Sequence, residues 1–354
     1  MFESVFRRGR GAGALAALVA LVAALVVAGC GGGSNNSGSS SGGGGSSGSA
    51  TKQVAPIRMA FSTWNGYIGI VIAAKEGFFD KAGVKVSYNV VEDPVQRFNA
   101  MKAGSIDGIA TTPDTFSRFD ANGIPTVQVL GLDASRGGDG IVSQKNITQI
   151  AQLKGQTVAV NSGSTSQWML AYVLSQNGLS LKDVKQVNMT SGDAGAAFAA
   201  GRVPVAVTWQ PWLSKAEKNT NGHVLISTVK YPTIITDQVG FTPDFVKAHA
   251  DSVRAFIKGY LMAVDLLKTD PDKAISDVTD YLGQSPDEIK ATMKDVPIWG
   301  LQQSKSYYGT SASPGPIYDI FNKSAKFWKN IGEIKTMPDA KTAIDPSFVN
   351  EASG

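Results

Sequence analysis

A cluster of short polar side chains follows one predicted strand and precedes a predicted helix. In residues 161–166 (NSGSTS), free backbone N–H groups and several hydroxyls converge on one point. Such a helix start attracts anions, although an ordinary capped helix start uses the same residue types. Ser162, Ser164 and Thr165 are therefore the first candidates for ligand contact.

Aromatic residues stand in two other segments that follow predicted strands. Residues 62–67 (STWNGY) place Trp64 and Tyr67 between a strand and a helix, an arrangement that can clamp a small solute. The alternative is that both rings only pack between loops, since aromatic side chains are common in cores. Trp209 and Gln210 follow a later strand, and we expect either of them to face the same ligand.

Three carboxyl groups in candidate loops decide which charge a ligand should carry. Thr112 and Asp114 follow a strand; Thr112 is a candidate ligand contact, and Asp114 either caps the next helix or contacts the ligand. Asp133 either faces the ligand or pairs locally with Arg136, and Asp237 either meets the ligand or fastens a hinge. A carboxylate 4 Å from a ligand charge contributes about 4 kcal/mol at an effective dielectric of 20. If all three acids face the site, a zwitterion or a cationic nitrogen compound fits, and otherwise an alkylsulfonate fits.

The sequence offers no catalytic constellation. No nucleophile stands at motif spacing from a base. His223 and His249 are predicted to lie on the surface. Cys30 is the only cysteine, which excludes intrachain disulfides, Cys-rich zinc sites and CxxC redox chemistry. We therefore predict that the protein is not an enzyme and that it holds no cofactor and no metal.

Composition and charge narrow the class of protein. The chain has 354 residues, of which 43% are hydrophobic and 18% charged, values typical of globular proteins with one or two domains. Lys and Arg total 33 against 29 Asp and Glu, and the sequence shows no concentrated basic face. This balance argues against a nucleic-acid partner.

The amino terminus has the pattern of an exported lipoprotein. Arg7, Arg8 and Arg10 precede an apolar run, which predicts a secretory signal peptide over residues 1–29. The sequence Val-Ala-Gly before Cys30 resembles the bacterial lipobox, so Cys30 is predicted to be lipidated. A linker of mainly Gly and Ser completes residues 30–53 and behaves as a flexible coil. We therefore expect a protein anchored to the cell membrane by lipid, facing the periplasm or the exterior.

Predicted strands and helices alternate in the body of the chain. The pattern opens with a strand at 54–61, a helix at 67–76 and a strand at 84–91, and a second such set begins near residue 157. Alternation of this kind predicts an α/β fold with parallel sheets, and two sets predict two lobes.

Several ordered motifs resemble the nitrate, taurine and aliphatic-sulfonate binding proteins of bacterial ABC importers. The likeness covers roughly residues 56–300 and rests on these segments: 64–67 (WNGY), 73–79 (AAKEGFF), 83–86 (GVKV), 100–108 (AMKAGSIDG), 153–160 (LKGQTVAV), 197–201 (AFAAG) and 208–212 (TWQPW). Two positions depart from the family pattern, because Val203-Pro204-Val205 stands where an Asp is usual and Gln210 stands where Glu is frequent.

The resemblance implies a two-lobe periplasmic-binding-protein fold of type II, with the ligand in the cleft between the lobes. The chain would cross between lobes near Ser143 and Gly240. Residues 54–142 and 241–354 would then form the first lobe and residues 143–240 the second. Ligand binding at the carboxyl ends of strands in α/β sheets agrees with this implication.

The resemblance also implies a function. The chain would be an extracytoplasmic, monomeric binding protein that captures a small polar organic solute of the taurine, sulfonate or nitrogen-compound class. Its partners would be an ABC permease and the ATPase of that importer. Two alternatives stay open, a binder of a thiamine pyrimidine precursor or a related enzyme of the same fold, and a lipid-anchored sensory module.

Overall fold

The computed structural model describes residues 54–218 and 222–353. Lys52–Gly354 form one compact unit. The predicted signal peptide and the whole linker, including Cys30, lie outside the described residues, so lipidation stays a prediction. Among the helices that are described, none has the length and apolar character required to cross a membrane.

The strands are short and carry mainly apolar residues. In chain order they are β1 (Ile57–Phe61), β2 (Val86–Val90), β3 (Gly108–Thr111), β4 (Val127–Ala134), β5 (Asp139–Gln144), β6 (Thr157–Val160), β7 (Lys185–Asn188), β8 (Val205–Trp209), β9 (Gly222–Ser227) and β10 (Thr236–Phe241).

Helices connect these strands and make up almost all of the carboxyl-terminal third. They are α1 (Ile68–Lys75), α2 (Phe78–Ala82), α3 (Pro94–Lys102), α4 (Pro113–Ala121), α5 (Thr165–Ser175), α6 (Ser191–Ala199), α7 (Trp212–Glu217), α8 (Pro243–Ala248), α9 (Ala250–Thr269), α10 (Pro271–Ser276), α11 (Thr279–Leu282), α12 (Pro286–Met293), α13 (Leu301–Tyr308), α14 (Pro316–Asn330), α15 (Ala340–Ala343) and α16 (Ser347–Glu351). Short 3-10 turns cover Asn65–Tyr67, Ile150–Leu153 and Leu181–Asp183.

Local capping residues explain where several helices begin. The side chains of Asp93, Thr242 and Ser285 each accept a hydrogen bond from the backbone N–H three residues later. Each of these residues is followed by a proline, which is favoured in the first helical turn because its fixed φ suits a helix.

The strands form two five-stranded sheets with the same plan. The first has the order β2-β1-β3-β10-β4, and the second has the order β7-β6-β8-β5-β9. In the first sheet β1 pairs in parallel with β2 and β3, whereas β10 is antiparallel to β3 and β4. In the second, β6 is parallel to β7 and β8, whereas β5 is antiparallel to β8 and β9. The predicted α/β architecture is present, but each sheet is mixed rather than wholly parallel.

The passages between the two sheets occur earlier than predicted from the sequence. The chain leaves the first sheet at Ala134 and enters the second at Asp139, and it returns between Ser227 and Thr236. The predicted crossings near Ser143 and Gly240 therefore lie inside β5 and β10. Apolar patterning marks these segments as strands, but only pairing with distant strands decides which sheet each one joins.

The carboxyl-terminal helices do not pack on the first sheet alone. Helix α14 packs against α4, which follows β3 of the first sheet. Its Ala325 and Trp328 nevertheless belong to the apolar core built around Val158 and Val207 of the second sheet. The assignment of all residues from 241 onward to the first lobe was therefore too simple, because one long amphipathic helix contacts both cores.

Candidate functional site

A small cavity lies where the carboxyl ends of strands from both sheets meet. Its volume is about 20 Å³, enough for one water-sized group, so a larger solute requires the two sheets to move apart. The lining side chains come from the carboxyl ends of β3 and β8, the starts of β5 and β10, the segments that follow β1, β3 and β6, helix α3 and the segment before β10: Ser62, Trp64, Tyr67, Arg97, Thr111, Thr112, Thr115, Asp139, Ser164, Thr165, Trp209, Ile235 and Asp237.

Aromatic side chains form one wall of the cavity. Trp64 and Tyr67 follow β1 and are almost fully buried. The Trp64 indole Nε1 lies 3.3 Å from both carboxylate oxygens of Asp133. The Tyr67 hydroxyl donates a hydrogen bond to Oδ1 of Asp237. These contacts hold the rings in place, so both are part of a polar network as well as of the core.

Contacts between the loops of the two sheets close the cavity. The indole Nε1 of Trp209, the last residue of β8, donates to the backbone carbonyl of Thr63, after β1, at 2.9 Å. The hydroxyls of Thr112 and Thr165 are 2.6 Å apart and join the loop after β3 to the start of α5. The structure therefore represents a closed arrangement of the two sheets.

The predicted helix start at residues 161–166 is present, but its hydroxyls differ in availability. Ser164 Oγ accepts from the Ser166 N–H at 3.1 Å and donates to the carbonyl of Asn161 at 2.8 Å. Ser164 is thus a helix cap that also lines the cavity. The backbone N–H of Ser162 donates to Oδ1 of Asn188 at 2.9 Å, and the residue is not among the lining ones.

Buried carboxyl groups surround the cavity, and burial changes their protonation. Desolvation raises the pKa of Asp237 to about 6, although the Tyr67 hydroxyl lowers it by donating a hydrogen bond. Desolvation and the neighbouring Asp237 raise the pKa of Asp133 well above its usual range. Desolvation raises the pKa of Asp114 to about 7, against hydrogen bonds from Thr112 and Thr115. The ionised forms of these acids are therefore unfavourable in the closed cavity.

Four predicted contact residues lie outside the lining of the cavity. Asp133 is fully buried behind Trp64 and does not pair with Arg136, which is exposed. Asp114 does not cap α4 with its side chain, since the helix follows Thr112 without a side-chain cap. Gln210 donates to Ser214 Oγ at 2.8 Å, within its own helix start. Together with Ser162, these residues are neighbours of the cavity rather than parts of its wall.

Two charged residues that the sequence reasoning missed line the cavity. Arg97 on α3 is 3% exposed, donates Nη1 to the carbonyl of Val91 at 3.2 Å, and leaves its Nε without a hydrogen-bond partner. Desolvation lowers the pKa of Arg97, whereas nearby acidic groups raise it. Asp139 begins β5, and desolvation raises the pKa of its carboxyl to about 8. In the sequence Arg97 has the pattern of an ordinary solvated helix charge, whereas Asp139 directly follows the pair Gly137-Gly138.

The arrangement suits contact with a small solute. Polar side chains from both sheets converge on one enclosed space, and aromatic rings flank it. Within residues 54–218 and 222–353, no set of three His, Cys, Asp or Glu side chains is arranged to hold a metal ion.

Sequence comparison relates the chain to proteins that are named as binding proteins. A family model described as NMT1/THI5 like matches residues 64–274. A putative aliphatic sulfonates-binding protein of Escherichia coli strain K12 is 31% identical over 212 residues, which are 58% of this chain and 65% of that protein. The taurine-binding periplasmic protein of the same strain is 24% identical over 279 residues, 75% of this chain and 83% of that protein. The chain spans between half and two thirds of the length of the first of these relatives. In a putative binding protein of Brucella abortus strain 2308, the matched region is 52% of that protein.

Structural comparison identifies the fold. The crystal structure of the periplasmic aliphatic sulphonate binding protein SsuA from Escherichia coli aligns with a TM-score of 0.67 and 21% identity, covering 84% of this chain and 99% of that one. The periplasmic nitrate-binding protein NrtA from Synechocystis PCC 6803 aligns with a TM-score of 0.63 and 14% identity, covering 85% and 86%. The predicted periplasmic-binding-protein fold is therefore confirmed. The relatives matched over most of this chain are named as binding proteins and not as enzymes, in agreement with the prediction.

Proposed function

Because the chain belongs to the NMT1/THI5-like family, we propose that it is an extracytoplasmic solute-binding protein of an ABC importer. The observation that carries the proposal is the enclosed cavity between two sheets, lined by side chains from both. The names of the relatives, which refer to aliphatic sulfonates and taurine, support a small polar organic solute. The protein would capture this solute and deliver it to a membrane permease and its ATPase.

Binding by the purified protein tests the proposal directly. We expect one class among aliphatic sulfonates, taurine, nitrate, amines, guanidines and thiamine precursors to raise the melting temperature. A ligand at a hundredfold excess over its Kd stabilises the folded state by about 2.7 kcal/mol, which a thermal-shift assay detects. Absence of stabilisation by any of these compounds would contradict the proposed function.

Closure of the two lobes over the solute is a further part of the proposal. Trp209→Phe keeps the ring but removes the hydrogen bond to the Thr63 carbonyl. We expect the Kd to rise about 2- to 10-fold, the equivalent of a net hydrogen bond of roughly 0.5–1.5 kcal/mol. Titration calorimetry measures this change, and solution scattering should show a smaller radius of gyration with ligand than without it.

The chain offers a matched control for this substitution. Trp212 lies three residues further on, and its buried Nε1 has no hydrogen-bond partner. Trp212→Phe should therefore leave the Kd unchanged. Equal effects of the two substitutions, or scattering curves that do not respond to saturating ligand, would argue against closure through Trp209.

Lipid anchoring at Cys30 is the proposed means of retention at the membrane. Cys30→Ala is expected to release the protein from the membrane fraction and to abolish acyl labelling, because the thiol that carries the diacyl group is absent. Two or more acyl chains are needed for stable anchoring. Ser34→Ala in the adjoining linker is the control and should fractionate like the unchanged protein. Membrane retention of the Cys30→Ala variant would show that the lipoprotein hypothesis is wrong.

A role with a thiamine precursor is the second candidate. A putative thiamine biosynthesis protein of Haemophilus influenzae is 29% identical over 125 residues, which are 35% of this chain and 40% of that protein. The thermal-shift panel separates the candidates, because stabilisation by a thiamine precursor and not by sulfonates, taurine or amines would favour this one.

A further inference from the structure

Acidic groups outnumber basic ones around the cavity. Asp139 and Asp237 line it, while Asp114 and Asp133 are buried close behind the wall. Within residues 54–218 and 222–353, Arg97 is the only Lys or Arg that is buried. The cavity therefore offers one positive group against four carboxyl groups, an imbalance that selects the charge of a ligand.

The charge of Arg97 is already balanced by its surroundings. The acidic groups that act on Arg97 most strongly are Tyr67, Glu92, Asp93 and Asp237. The charged groups that act on Asp139 are, by contrast, the acids Asp237 and Asp114. Arg97 thus compensates one side of the cavity and leaves the carboxyl group of Asp139 without a positive partner.

Asp139 also has an unsatisfied hydrogen-bond acceptor. Its residue is 3% exposed and lines the cavity, and its Oδ2 accepts no hydrogen bond from any part of the chain that the structure describes. A buried carboxylate oxygen without a partner is costly, and a charged N–H donor is the group that satisfies it best. Oδ1 of the buried Asp114 is likewise without a partner.

Aromatic rings beside Asp139 favour the same ligand charge. The Trp64 ring lies against Gly138, the residue before Asp139, so closely that a Cβ at Gly138 would be 2.5 Å from its Cη2. Trp209, which pairs with Asp139 across the sheet, lines the same cavity. Indole rings attract cations, so the wall near Asp139 combines a carboxyl group with two aromatic residues that favour a positive ligand.

We propose that the solute carries a protonated nitrogen group, which the Asp139 carboxylate binds at the start of β5. The protein would then select amines, guanidines or zwitterions of the taurine type over simple anions. This inference rests on the proposed function and specifies the solute class of the same site.

A matched series of two-carbon compounds tests the proposal by titration calorimetry. The probes are ethanesulfonate, taurine and ethylguanidine, of which the first two differ only in the ammonium group. We expect taurine or ethylguanidine to bind at least tenfold more tightly than ethanesulfonate. Asp139→Asn, which removes the charge at nearly constant size, should weaken the nitrogen-bearing probe at least tenfold. Asp319→Asn removes an exposed carboxylate on α14 and is the control, with unchanged affinity expected.

The outcomes separate this inference from the proposed function. Tighter binding of ethanesulfonate than of taurine and ethylguanidine, or equal affinity of Asp139→Asn for the nitrogen-bearing probe, overturns the inference alone. If no probe of any charge binds, the inference fails together with the proposed function.

A second measurement needs no variant and remains decisive if Asp139→Asn does not fold. The carboxyl groups near the cavity have raised pKa values, so a cation that binds them displaces protons. Closure of the two sheets is common to matched probes, so calorimetry at pH 7 in two buffers of different ionisation enthalpy should report more proton release with taurine than with ethanesulfonate. Equal proton exchange with these two probes would overturn the inference.

Discussion

Gly66→Ala is expected to abolish ligand binding and to lower the free energy of unfolding by about 3 kcal/mol, the upper part of the usual range for overpacking a core. A Cβ at Gly66 would lie 1.9 Å from Oδ2 of Asp133 and 2.2 Å from Nε1 of Trp64. Both atoms belong to one buried contact behind the cavity wall, and Asp133 is 0% exposed. The added methyl group therefore has to separate Trp64 from Asp133 and move an aromatic wall of the site.

Gly195→Ala is the matched control for this substitution. Gly195 lies inside α6, and a Cβ there would meet its nearest atoms at 3.4 Å, an ordinary contact distance. Because Ala favours helix by up to about 1 kcal/mol over Gly, this variant should be as stable as the unchanged protein or slightly more stable. Urea denaturation with an unchanged m-value measures both effects. If the Gly66→Ala variant has the same urea midpoint of unfolding as the unchanged protein, the steric argument is contradicted.

With the two sheets closed as in this structure, the protein is expected to lose stability as the pH rises from 5 to 8, by about 2 kcal/mol or more. The folded state raises the pKa of Asp237 to about 6, of Asp114 to about 7 and of Asp139 to about 8 through desolvation. In the unfolded chain these carboxyls titrate near 3.9. Between pH 4 and pH 8 the folded state therefore binds protons that the unfolded chain does not.

The sign of the effect follows from this difference in bound protons. The stabilising contribution of these groups is fully present below their unfolded pKa and is lost as the pH rises through 6, 7 and 8. Other groups facing them are Asp133, Tyr67 and Arg97, of which Asp133 also has a raised pKa. Glu288 acts in the opposite sense, but its pKa is lowered to about 2, so its contribution changes only below pH 5.

Urea denaturation at pH 5, 6, 7 and 8 checks the expected slope. Asp139→Asn should reduce the dependence of stability on pH, because among Asp139, Asp114 and Asp237 it is Asp139 that has the highest pKa. Asp319→Asn, at an exposed position, should leave the pH dependence unchanged. A stability that rises between pH 5 and pH 8 would contradict the placement of buried carboxyl groups around the cavity. A saturating nitrogen-bearing ligand should also reduce the loss, since it stabilises the ionised carboxylates.

Much of the site could be predicted from local sequence because its residues follow strands. Loops after β1, β3, β6 and β8 meet at one edge, and a short polar or aromatic segment after each strand is visible without any alignment. Seven of the predicted contact residues line the cavity, namely Trp64, Tyr67, Thr112, Ser164, Thr165, Trp209 and Asp237. Their position depends on strand direction and turn chemistry, which are local properties.

Tertiary structure alone decided which charges face the cavity. Arg97 is the fourth residue of α3. Its side chain would be solvated on an isolated helix, but packing in the folded protein buries it. Gln210 follows β8 directly, yet its side chain bonds to Ser214 within α7 rather than to the cavity. The burial of a charge and the orientation of a side chain both depend on residues far away in the sequence, so no local sequence pattern predicts them.

The sequence by itself determined the α/β class, the two sets of strands and helices, and most of the segments that line the cavity, because apolar periodicity and strand ends are encoded over short stretches. The exact passages between the sheets were decided by pairing, since Asp139 becomes the first residue of β5 only through its partner Trp209 on β8. The same pairing brings the Asp139 carboxylate into the cavity. Long-range strand pairing thus decided the charge of the site, because it determines which carboxyl groups lose their water.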